Sequence, residues 1–268
     1  MTKYKNYNTQ DPRLSNFDFW YRANADLISE ATTVHKFGRN AAVGTSFVPV
    51  AIGGTYPTPT VATALEVLSA SVEDDTGGSG ARAIKIQGPN ASWDEITQEV
   101  VLDGQTPVAI PIPLMRNYRN WISSSNGYAT VGTGSHAGAI TIRVASGGAT
   151  WSTMDATDYA KGQSEISFYT VPLGWTAFLE NFFINVDSNR SANVLLMQRP
   201  NANDVVAPYS GAMRLVFNVG VFTGERKASF KSPIGPFVGP CDIGFIAKVE
   251  ANTGEIDADF ELNMFKFT

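Results

Sequence analysis

The chain has two histidines, His35 and His136, far apart and with no carboxylate-rich motif around either. A Ser-His-Asp relay would also need a serine on a strained turn, and no G-x-S-x-G stretch supplies one. Glu73, Asp74 and Asp75, beside the run TGGSG, are oxygen donors of the kind calcium takes from a flexible loop. Their spacing does not follow the EF-hand pattern, so a solvated polar loop is the simpler expectation. Asp94 and Glu95 are adjacent; on a strand they would point to opposite faces, whereas a glycosidase needs its two carboxylates across one substrate. TGGSGA lacks the lysine and following helix of a phosphate loop. The single cysteine, Cys241, excludes an intrachain disulfide and a multi-thiolate metal site, and reads as a small buried apolar residue. Trp93, Trp121, Trp151 and Trp175 are scattered, and core is their default role; a sugar-binding face would need several exposed together. The expectation is a non-enzymatic protein with no catalytic residue, no metal site and no cofactor.

Whatever these residues do, strands must position them. A length of 268 residues suffices for one large β domain or two modest ones. Hydrophobic residues make up 43% and charged residues only 17%, which implies that part of the surface is covered by something other than water. The net charge of −5 argues against a phosphate-binding face, so no direct nucleic-acid partner is expected. The N-terminus carries two lysines but no apolar core of a secretory signal, and no run is apolar for the length of a membrane span. Synthesis in a host cytoplasm and no membrane partner are therefore expected.

One segment reads as helix. From Ser15, the positions Phe17, Trp20, Tyr21, Leu27 and Ile28 fall at helical spacing, with Ser15 as N-cap and Asp18 three residues on. Upstream lies an extended arm, and downstream, from Phe37 to Pro59, a glycine-rich run almost free of charge. After Pro59 the period becomes two: ARAIKIQG alternates Ala83, Lys85 and Gln87 against Arg82, Ile84 and Ile86, and ITQEVVLDG ends on the turn signal Asp103-Gly104. In the last run, Ile256, Ala258, Phe260, Leu262 and Met264 take one side and Asp257, Asp259, Glu261 and Asn263 the other. Short strands at this spacing predict an all-β chain of β-sandwich or jelly-roll type. Its expected division is 1–36 as arm and aromatic helix, 37–145 as a first β region and 146–268 as a second. The stretch from Arg143 to Gln163 serves as boundary or as a long crossover.

VHKFGRNAAVGTSFVPV, then GGTY, ALEVLSASVEDDTGGSGARAIKIQGPNASWDEITQEVVLDGQTPV, GSHAGAITIR and YTVPLGWTAFL together resemble a family of structural proteins from tailed, mainly marine bacteriophages. The likeness runs from Val34 to the end of the chain. It implies a non-enzymatic, β-rich component of the virion and transfers no catalytic residue. On that footing the expectations are a homotrimer and a partner in the major capsid or another virion protein. The role expected is capsid decoration, or cement, with a tail-fibre or receptor-binding component as the alternative and a glycan-processing jelly-roll enzyme as a more remote one. The aromatic helix and the charge-poor run are expected to form the assembly element, with Phe17, Trp20, Tyr21, Leu27, Ile28, Phe37 and Asn40 at the interface.

Overall fold

The computed structural model describes Ala23, residues 28–157 and residues 159–266. Phe17, Trp20, Tyr21 and Leu27 lie outside the described residues. The strands are β1 (Ala31–Val43), β2 (Val48–Pro49), β3 (Leu65–Ser69), β4 (Ala81–Pro89), β5 (Glu95–Val101), β6 (Val108–Ala109), β7 (Arg119–Ser125) and β8 (Ile140–Val144). They continue with β9 (Thr150–Met154), β10 (Phe168–Val171), β11 (Trp175–Val186), β12 (Ala192–Arg199), β13 (Arg214–Phe222), β14 (Gly224–Val238), β15 (Cys241–Val249) and β16 (Gly254–Lys266). The chain is all-β, as its period-two patterning predicts.

Eight strands make the larger body. One sheet runs β1-β16-β11-β14 and the facing one β10-β15-β12-β13, with β2 added to β15. Renumbered along the chain, these are the orders 1-8-3-6 and 2-7-4-5, the double Greek-key winding of a jelly roll. Alternation drives it. Ile256, Ala258, Phe260, Leu262 and Met264 on β16 are all buried in a core shared with Phe182, Ile184, Leu196 and Phe245. The side chains between them, Asp257, Asp259 and Glu261, stay at the outer face, only half-buried.

The remaining strands lie between β1 and β10, inside the first connection of the jelly roll. Sheets β6-β3-β8-β9 and β5-β4-β7 face each other over a separate core that includes Leu65, Ile84, Ile86, Leu114, Ile142 and Trp151. This is a smaller sandwich inserted into a larger one.

The pairing cuts across the divisions expected from sequence. β1 spans the boundary at residues 36 and 37 and bonds to β16, from Ala31 opposite Phe265 to Val43 opposite Gly254. β9 lies beyond residue 145 yet pairs with β8 of the inserted unit. The charge-poor run is not a free assembly element either, because its first part is woven into the jelly roll: Phe37 to Val43 complete β1, and β2 pairs with β15. Its lack of charge follows from burial of Val43, Val50 and Ala51. Gly38 is required by close approach, since a Cβ there would run into the Ser167 nitrogen and the Val50 carbonyl oxygen.

Candidate functional site: the cleft between the two sandwiches

The inserted unit is clamped to the jelly roll by charge. Arg116, on the segment leading into β7, bonds through Nη2 to Asp242 Oδ2 at 2.9 Å and through Nε to both carboxylate oxygens at 3.1 and 3.3 Å. Its Nη1 donates to the carbonyls of Met115 at 2.7 Å and Pro59 at 3.2 Å, and the guanidinium lies 5.1 Å from the Trp93 ring centre. Asp242 also accepts from Thr170 Oγ1 at 2.7 Å, and Thr170 contacts the Tyr56 hydroxyl at 2.7 Å. A buried charge must have partners, and both members of this pair have theirs.

Beside the clamp, Tyr118 reaches from the inserted unit into the jelly-roll core and packs on Tyr169 with ring centres 4.8 Å apart. Both hydroxyls donate to Glu95 Oε2, that of Tyr169 at 2.9 Å, while Gln87 Nε2 donates to Oε1 at 2.9 Å. Burial, the nearby Glu95 and the bonds donated to it push both phenols well above the ordinary tyrosine range.

Lys36 comes from β1. Its neighbours in phase, Val34 and Gly38, face inward, and so does its ammonium, which donates to the Tyr118 carbonyl. Lys36 is 5% exposed. Burial, reinforced by the Arg119 charge and only partly opposed by Glu95, lowers its pKa to about 7.

These groups line a cavity of about 490 Å³ between the two bodies, whose walls include His35, Lys36, Glu95, Arg119, Gln163 and Trp175. The wall on the β7 side is fixed by a buried polar network. Asn120 N donates to Ser164 Oγ at 2.8 Å, Asn120 Nδ2 to Ser152 Oγ at 2.8 Å, and Asn117 Nδ2 to Asn120 Oδ1 at 2.7 Å. Such a wall holds its side chains in place before anything binds.

The sequence-predicted residues divide. Ile28 is half-buried, its carbonyl accepting from Ala31 N at 3.4 Å. Phe37 lies opposite Asp259 on the outer face of β1 and also lines the cavity. Asn40 turns into its own chain, with Nδ2 donating to the Pro49 carbonyl at 3.3 Å and Oδ1 accepting from Ala42 N at 3.1 Å. It pins the bulge in β1, which is a folding task. His35 sits on the cavity lip, whereas His136 is buried in the inserted unit, where burial lowers its pKa and Nε2 lies 3.2 Å from the Asp155 carbonyl.

The acidic run is structural in detail. Asp74 is fully buried and accepts from Ala81 N at 2.7 Å, Ala137 N at 2.8 Å, Gly138 N at 2.9 Å and the Ser69 hydroxyl. Asp75 takes the amides of Gly77 and Gly78, and Glu73 those of Ser79 and its hydroxyl. Among the described residues, no three His, Cys, Asp or Glu side chains gather as metal ligands. Cys241 is buried, its thiol pushed up to about 12 by burial and by Asp242.

Sequence reasoning considered Glu95 only as half of a pair with Asp94, and it passed over Lys36, Arg116 and Arg119. The one signal within reach was phase: in VHKFG, Lys36 shares its side of a strand with Val34 and Gly38, a lysine where an apolar residue is expected.

No protein-family model and no curated protein matches this chain. Among solved structures, that titled the STIV MCP is similar over 87% of this chain and 97% of its own, at 8% identity and a TM-score of 0.23. The structure of infectious bursal disease virus Gx strain is similar over 89% and 77%, at 9% identity and a TM-score of 0.20. A VP2 subviral particle of the same virus gives 9% identity and a TM-score of 0.19 over 89% and 77%.

Proposed function

We propose that this chain is a non-enzymatic structural component of a virus particle, a capsid decoration protein that associates as a trimer and bridges neighbouring capsomers. The observation that carries the reading is the jelly-roll winding with a second β unit set into its first connection. Jelly rolls recur in viral shells, and here the Arg116–Asp242 pair fixes the insert, so that force on one body passes to the other. The tailed-phage resemblance carried by VHKFGRNAAVGTSFVPV and the motifs after it supports the same assignment.

Lateral contacts have a natural place. β13 and β14 are the outer strands of the two facing sheets and follow one another in the chain. Leu215, Val221 and Val238 are exposed along them, beside Arg214, Arg226, Lys227 and Lys231. Cations guard an open strand against indiscriminate pairing while leaving it available to a complementary surface. A closed three-fold arrangement would join such edges to a neighbouring copy.

The deciding experiment is quantitative mass spectrometry of purified particles against the major capsid protein. Decoration predicts a ratio near one to one, or a fixed fraction of it set by local symmetry. A few copies to some tens would overturn decoration and favour a tail component that recognises a host. That second reading has its own observation: Tyr128 and Val131 stand 94% and 95% exposed on the long loop after β7.

A further inference from the structure

We propose that the cleft between the two sandwiches binds an acidic saccharide, its carboxylate held by Lys36 and Arg119 and its hydroxyls met by Glu95 and Gln163 beside Trp175. The site goes beyond the assembly role and does not depend on where the protein sits in a particle. Its volume of about 490 Å³ lies in the range of about 300–1,000 Å³ typical of small-molecule pockets.

The cations are incompletely matched. Arg119 extends from the first residue of β7; its side-chain contact is the face of Trp121, 5.2 Å from the ring centre, and among the described residues it has no carboxylate partner. Lys36 donates to a backbone carbonyl. The carboxylate closest in role, Glu95, already accepts from Tyr118, Tyr169 and Gln87. In a chain of net charge −5, this cleft gathers His35, Lys36 and Arg119 around one glutamate. Two neighbouring cations, one of them buried, are a costly arrangement that an incoming anion relieves.

The rest of the wall selects more than charge. Trp175 supplies an aromatic surface, and Glu95, Gln87 and Gln163 are planar polar groups suited to vicinal hydroxyls. A bare inorganic anion would leave that surface unused. A ring bearing both a carboxylate and hydroxyls, such as a hexuronate, uses all of it.

Binding is coupled to protons. The groups facing the Lys36 amine are Arg119, Glu95, Tyr118 and Tyr169; burial brings the amine down to about 7 and pushes both phenols well above the ordinary tyrosine range. A bound carboxylate favours the ammonium. Affinity should therefore fall as pH rises above about 7, approaching about tenfold per unit.

Isothermal titration of the full chain with glucuronate and digalacturonate, in buffers of different ionisation enthalpy at pH 6.5 and 8.5, tests the site, with glucose and acetate as comparison ligands. The expected result is saturable uronate binding with proton uptake, and glucose and acetate at least about tenfold weaker. Arg119→Ala should weaken uronate by about tenfold or more, and Lys36→Met should do so while abolishing proton uptake. Absence of uronate binding overturns the proposal, as does unchanged binding by both variants. Glucose binding as tightly as uronate refutes the role of the cations, and acetate doing so refutes the saccharide wall. Should Lys36→Met fail to fold, Arg119→Ala decides alone, because Arg119 is exposed.

Discussion

Arg116 and Asp242, 126 positions apart in the chain and each 1% exposed, form a bidentate ion pair that ties the inserted sandwich to β15 of the jelly roll. The pair decides whether the two bodies behave as one. Removing one partner strands the other charge in a dry interior, which costs about 3–5 kcal/mol. Arg116→Met should lower unfolding stability in urea by that amount and split one transition into two, read by tryptophan fluorescence and far-UV circular dichroism together. A single, unshifted transition would mean that the clamp is dispensable.

Gly38 sets how closely β1 can approach the facing sheet. A methyl group there meets backbone atoms of Val50 and Ser167, which cannot rotate away. Gly38→Ala should destabilise the protein by about 3 kcal/mol, at the upper end of overpacking costs. Gly44→Ala, where a Cβ meets nothing within 4 Å, is the control and should leave the melting temperature nearly unchanged. Equal behaviour of the two variants would contradict the packing described.

Asp74 holds two loops together with one carboxylate. Asp74→Asn replaces an acceptor by a donor facing backbone N–H groups, and about 2–3 kcal/mol of local stability should go with it. Hydrogen exchange should show the amides of Ala81, Ala137 and Gly138 losing protection before the rest of the inserted unit. Because those amides already occupy the carboxylate, millimolar calcium should not raise the melting temperature. A clear rise would reinstate the acidic run as an ion site.

Lys36 gives stability an unusual pH dependence. Its pKa falls from 10.5 in the unfolded chain to about 7 in the folded one, so unfolding takes up a proton between those values. Stability contributed by this group therefore rises with pH across that window, by at most about 1.4 kcal/mol per unit. Lys36→Met removes the slope. Subtracting the variant's unfolding free energy from that of the wild type at pH 7, 8.5 and 10 isolates it, and parallel curves would show that the amine titrates normally.

Strand content could be read from alternation, and β16 shows why: five apolar residues in phase all reach the core. In β4 the simple alternation places Arg82 with Ile84 and Ile86, yet Arg82 is exposed and the isoleucines are buried. Shifts of register against β7 between Ala81 and Ile84 account for the change of phase. The nesting was hidden because no local pattern reports that β1 pairs with β16. The cleft was hidden for a related reason: Lys36, Glu95 and Arg119 come from three strands of two bodies, and only the tertiary fold brings them to one cavity.

The jelly roll's first strand has a single sheet neighbour, and that neighbour is its last strand. On a ribosome adding roughly 5–20 residues per second, β1 emerges on the order of ten to forty seconds before β16 can meet it. The inserted unit, whose strands all find partners within the insert, can fold in that interval. The larger body must close afterwards, so folding will be slow and its closing event post-translational in character. During that wait the inward side of β1, with Val34 and Val43, has no permanent cover, and chaperone binding would be concentrated there.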